Sequence, residues 1–131
     1  MQSIRVTVLC LLLLLVAGCT KPEADPDQQR IIVIGDIHAD IDATRAAFRL
    51  AGAIDDDDDW IGGELIVVQL GDLIGRSYED RKVLEFILAI RKQAESSGGK
   101  VHALIGNHEV FGARLELRWV HDDAWNGSRK Y

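Results

Sequence analysis

Carboxylate, amide, imidazole and guanidinium side chains recur in three short stretches, each following an apolar run and a glycine. Ile31-Ile32-Val33-Ile34 leads into Gly35-Asp36-Ile37-His38. Leu65-Ile66-Val67-Val68-Gln69-Leu70 leads into Gly71-Asp72-Leu73-Ile74-Gly75-Arg76-Ser77. Val101-His102-Ala103-Leu104-Ile105 leads into Gly106-Asn107-His108-Glu109. Asp36 and His38 are two apart on an extended turn, so their side chains can point the same way. A carboxylate and an imidazole together suit Mn, Fe or Zn ions. Asp72 offers a second carboxylate, Asn107 a neutral oxygen and His108 a second imidazole. Turn chemistry is the competing account, because Asx residues beside glycine are common in turns. It explains each loop singly, but not why histidine stands in two of them.

Such loops need strands to bring them together. The three apolar, β-branched runs read as strands, and the first is expected to be covered on both faces. Asp40 is placed to cap a helix from Ile41 to about Leu50, with Ile41, Ala47 and Phe48 inward and Gly52 as the stop. A longer helix is predicted from about Tyr78 to Ser96, opened by a capping box of Ser77 and Asp80. Its buried stripe would hold Val83, Leu84, Ile87, Leu88, Ile90 and Ala94, and Ser97-Gly98-Gly99 ends it. A helix or strand is expected over 110–120. The five acids Asp55 to Asp59 read as a solvated, mobile connector rather than a calcium loop. The order β-α-β-α-β, with parallel strands and right-handed crossovers, defines a layered α/β fold. Its functional loops belong at the carboxyl ends of the strands, where ligands collect in open α/β sheets. The middle loop, 71–77, is expected at the centre.

The chain of 131 residues has room for one domain, and its net charge of −6 leaves no footprint for nucleic acid. Arg5 precedes an apolar stretch from Val6 to Val16, too short to span about 30 Å of hydrocarbon as a helix. Small residues and Cys19 follow, which is the layout of a secretory signal over residues 1–18. Val16-Ala17-Gly18-Cys19 also resembles the bacterial lipobox. That resemblance implies lipid on Cys19 and a protein anchored to the membrane of the cell envelope. Residues 19–29, with two prolines and several charges, read as a tether, and the folded domain as 30–131. With Cys10 in the signal and Cys19 lipidated, that domain holds no disulfide. It must be stabilised by its core, by metal or by a partner.

The three glycine-led blocks resemble the N-terminal half of the calcineurin-like metallophosphoesterases. Trp60-Ile61-Gly62-Gly63 and Leu117-Arg118-Trp119-Val120 narrow the likeness to the Shewanella-like protein phosphatases. The likeness covers about Ile31 to Trp125. It implies a metallophosphoesterase sandwich with two divalent ions (Mn, Fe or Zn). Asp36 and His38 would bind the first ion, Asp72 would bridge both, and Asn107 would bind the second. His108 would protonate the leaving oxygen and Arg76 would clamp the phosphate of a phosphorylated substrate. Two ions about 3.5–4 Å apart acidify water and neutralise charge in a phosphoryl displacement, and arginine offers phosphate a bidentate fork.

The sequence departs from the family pattern in three ways. Gly75 stands where the family places an Asp that orients the acid histidine, a loss that bears on the roughly 10²–10⁴-fold of general acid catalysis. The family's further metal-binding histidines, from later strands, have no counterpart. His121 comes only thirteen residues after His108 and reads as a loop residue, while His102 reads as packed or solvent-facing. Ala39 replaces a glycine, which strains a turn that needs positive φ. The fold is therefore expected to be truncated. The resemblance implies a phosphoester hydrolase acting on a phosphoprotein or small phosphomonoester, with little or no activity in this chain. A non-catalytic envelope lipoprotein that binds metal or phosphate is the alternative.

Overall fold

The computed structural model describes residues 29–123. The expected signal over 1–18, Cys19 and nearly all of the 19–29 tether lie outside the described residues, as does the chain beyond 123. Among the described residues no helix is long and apolar enough to cross a membrane.

Three short strands, β1 (Ile31–Ile34), β2 (Ile66–Gln69) and β3 (Lys100–Ala103), form one parallel sheet in the order β1-β2-β3. Ile32, Val67 and Val101 lie in one row of the register, and Val33, Val68 and His102 in the next. Helices α1 (Ile41–Leu50) and α2 (Asp80–Ser96) are the two crossovers. Successive right-handed crossovers in one direction along a sheet put their helices on the same face. The packing agrees, since Phe48 of α1 meets Phe86 of α2 edge-on at 5.5 Å between ring centroids. Val67 and Val101 join both helices in one core with Val83, Ile87 and Ile90.

The opposite face of the sheet is bare among the described residues. Ile31 and Val33 are 60% and 59% exposed, so β1 is covered on one face, not on both as its sequence suggested. The third-strand histidine, His102, is exposed on that face and takes no part in the site.

Asp40 caps α1 through Oδ1, which accepts from the Ala43 amide at 2.9 Å, and Gly52 takes φ +67° just after its end. Thr44 joins Ile41 and Phe48 on the buried side. Helix α2 begins at Asp80, two residues later than its sequence suggests, and has no side-chain cap. The reason is local, because the Asp80 carboxylate accepts from the Gly75 amide at 2.7 Å instead of closing a box with Ser77. Its buried stripe is Val83, Phe86, Ile87, Ile90 and Ala94, while Leu84 and Leu88 are exposed.

The acidic run is a tied loop rather than a mobile connector. Asp55 Oδ1 accepts from the Asp57 and Asp59 amides, and Asp58 pairs with Arg45 at 2.6 Å and Arg49 at 2.8 Å. Two arginines one turn apart on α1 thus hold it. Residues 110–120 resolve into the end of α3 (Asn107–Ala113) and a 3-10 turn at Leu117–Trp119.

Candidate functional site

The loops after β1, β2 and β3 leave the same edge of the sheet because the strands are parallel. Main-chain bonds then stitch them together. The Asp72 carbonyl accepts from the amides of Ile37 at 3.1 Å and His38 at 2.9 Å, and the Leu73 carbonyl from Ala39 at 2.8 Å. Below them Gln69, fully buried, donates to the Gly35 and Gly71 carbonyls and accepts from the Gly71 amide. The third loop is joined through a side chain, with Asp72 Oδ1 accepting from the His108 amide at 2.7 Å.

This stitching requires unusual backbone. His38, Ala39, Asp72 and Arg76 all take positive φ, between +52° and +68°. Residues in that region cost of order 1–3 kcal/mol and collect at functional sites. Ala39, at φ +60° and fully buried, carries the strain expected of it.

The result is a compact group of side chains that could hold a metal ion. One donor atom each from His38, Asp72 and His108 lie within 4.8 Å of one another. Asp72 and His108 are 7% and 4% exposed. The His38 and His108 rings stand 4.7 Å apart, tilted by 59°. His38 Nδ1 is buried with no hydrogen-bond partner, while its Nε2 lies 3.5 Å from Asp36 Oδ2. The His38 imidazole and the Asp72 carboxylate, with the Asp36 carboxylate beside His38, form a donor set that fits a divalent transition ion, and the His108 imidazole stands within reach of it.

Asp36 contacts His38 with its own carboxylate largely exposed. Asn107 opens α3 beside His108 and is exposed. Arg76 is exposed, and its amide donates to the Trp119 carbonyl at 2.8 Å. Trp119 and Phe111 flank the His108 ring at 6.2 and 6.0 Å. His121 is a loop residue with its ring 5.9 Å from that of Tyr78.

Two contributors escaped the sequence reading. Gln69 stands in the sequence as one polar residue inside the apolar run 65–70. Glu109 was read only as the last letter of a block, yet its carboxylate accepts from amides in two different loops. A glutamate three residues after the glycine that opens a helix is the one local signal that marks it.

The calcineurin-like phosphoesterase family model matches residues 29–131. Shewanella-like protein phosphatase 2 of Arabidopsis thaliana is 41% identical over 92 residues, which are 70% of this chain and 24% of that protein. Shewanella-like protein phosphatase 1 of Plasmodium berghei is 35% identical over 80 residues, 61% of this chain and 22% of that protein. Among solved structures, a cold-active protein-tyrosine phosphatase of a psychrophilic Shewanella species aligns with TM-score 0.68 and 33% identity. That alignment covers 72% of this chain and 28% of the other. The chain thus spans about a quarter of the length of the curated relatives it matches. With the layered α/β sheet, the three strand-end loops and the His-Asp-His group in agreement, the chain belongs to the calcineurin-like phosphoesterase family.

Proposed function

We propose that the three-loop site serves metal-dependent hydrolysis of a phosphate ester, with a phosphoprotein or small phosphomonoester as substrate. The observation that carries this reading is the His38, Asp72 and His108 group at the ends of three parallel strands. Asp36, His38, Asp72 and Asn107 would hold two divalent ions of the Mn, Fe or Zn type. Such ions supply charge neutralisation at the phosphoryl group and acidify water. Arg76 is exposed, and its guanidinium is suited to a bidentate grip on phosphate oxygens. His108, whose ring is flanked by Phe111, Trp119 and His38, would supply the proton to the leaving oxygen.

Gly75 lowers the expected rate. It provides no carboxylate to the His108 ring, and among the described residues no carboxylate is bonded to that ring to fix its position. Substrates with an acidic leaving group, which need little protonation, should therefore be favoured over alkyl phosphates. The test is hydrolysis of p-nitrophenyl phosphate with added Mn²⁺. Slow turnover that Asp72→Asn abolishes supports the reading. Mn²⁺ binding with no turnover supports the second reading, a non-catalytic protein that binds metal or phosphate, which the bare Gly75 favours. Absence of Mn²⁺ binding overturns the first reading, and absence of both Mn²⁺ and phosphate binding overturns both.

Anchoring in the cell envelope is a separate part of the proposal and rests on Val16-Ala17-Gly18-Cys19. Cys19→Ser should release the protein from membranes or leave the precursor uncleaved. Unchanged fractionation and processing would remove it.

A further inference from the structure

We propose that Glu109 is the positioning residue of this site, setting the Asp72 carboxylate and the His38 ring for the metal; the inference rests on the metal-site reading above. Glu109 Oε2 accepts from the Asp72 amide at 2.8 Å and the Gly106 amide at 2.8 Å. Its Oε1 accepts from the Leu73 amide at 2.9 Å and the Ile74 amide at 3.3 Å. Helix capping accounts for only one of these, the bond to Gly106. The other three reach 35 to 37 residues back in sequence, into the turn that carries Asp72.

That turn needs holding. Asp72 takes φ +53°, a conformation which few residues other than glycine adopt. With its own amide fixed by Glu109, the Asp72 carbonyl is aimed at the first loop, where it accepts from Ile37 and His38. Its side chain meets the His108 amide. One carboxylate therefore registers the second loop against the third, and through the Asp72 peptide sets the first as well.

The chemistry demands a carboxylate in particular. Four amide donors need an acceptor with two equivalent oxygens, and an ionised carboxylate has about four lone-pair sites and no donor of its own. The glutamine amide keeps one acceptor oxygen and turns an NH₂ group toward the donors that the other served. Glu109→Gln is nearly isosteric yet leaves one pair of amides unmet.

Zn²⁺ binding to the full 131-residue chain tests this without any assay of turnover, by isothermal titration with far-UV circular dichroism as the check on folding. Glu109→Gln should keep its helical signal and bind Zn²⁺ about 10–100-fold more weakly, the range seen when groups supporting metal ligands are removed. Glu95→Gln, which breaks only an exposed pair with Arg91, should bind as the wild type does. A lower melting temperature with unchanged Zn²⁺ affinity would make Glu109 a merely structural residue and overturn the proposal. In case Glu109→Gln does not fold, amide hydrogen exchange on the wild type gives a second readout. The Asp72, Leu73 and Gly106 amides should be protected together, and further protected by Zn²⁺. Exchange at loop rates with no response to Zn²⁺ would equally overturn it. A wild type that binds no Zn²⁺ removes the metal-site reading itself, and this inference with it.

Discussion

Gly75 lies against the imidazole of His108, so closely that a Cβ on Gly75 would overlap the ring at Nδ1. Gly75 also takes φ +80°, where a side chain is strained whatever room it has. The position that the family gives to an Asp is here filled by the histidine itself. Gly75→Asp is therefore expected to displace His108 instead of restoring its acidic partner. We expect a loss of about 1–3 kcal/mol in stability, read by urea denaturation, with no gain in hydrolysis. A stable Gly75→Asp protein with faster turnover would show that the loop can relax around the carboxylate.

Asp72→Asn should weaken Mn²⁺ or Zn²⁺ binding by about 100-fold or more, since it removes the one buried carboxylate of the group. The fold should survive, because an Asn oxygen can still accept from the His108 amide. Metal titration beside circular dichroism checks both halves of this expectation.

Phe48→Ala should cost about 3–5 kcal/mol, within the range for a fully buried aromatic. The ring joins α1 to α2 through Phe86, so its loss should open the seam between the two helices. Urea midpoints give the cost, and a change near zero would mean that α1 packs elsewhere in solution.

The bare face of the sheet presents Ile31 and Val33 beside Ile66 and Val68 in the same rows. Apolar surface of this kind promotes association. Val33→Lys combined with Val68→Lys should lower light scattering at a given concentration while leaving metal affinity unchanged. Scattering equal to that of the wild type would place the association elsewhere.

The local parts of this architecture were legible in the sequence. Asp40, Gly52 and the apolar runs mark α1 and the strands through their own chemistry, and Asp72 and His38 stand out by type and spacing. What escaped depends on contacts distant in sequence. Leu84 and Leu88 fit the period of a buried stripe, but Phe86 is buried while they are exposed, its ring packed edge-on against Phe48. The acid run gave no hint that Arg45 and Arg49 would hold Asp58, since both pairings depend on how α1 returns past the loop. Glu109 is the clearest case of a role that depends on distant contacts. Its partners lie in another loop, and no periodicity within one element reveals a bond across 37 residues.

The Asp72 carbonyl holds the first loop by the amides of Ile37 and His38, not by their side chains. The shape of that loop is therefore written in main chain, while Asp36 and His38 only furnish it. Exchanging these two side chains should change which ion the site prefers without moving the peptide that carries them. Form and ligand choice are separable here, so the same three-loop frame can be refitted to a different metal one residue at a time.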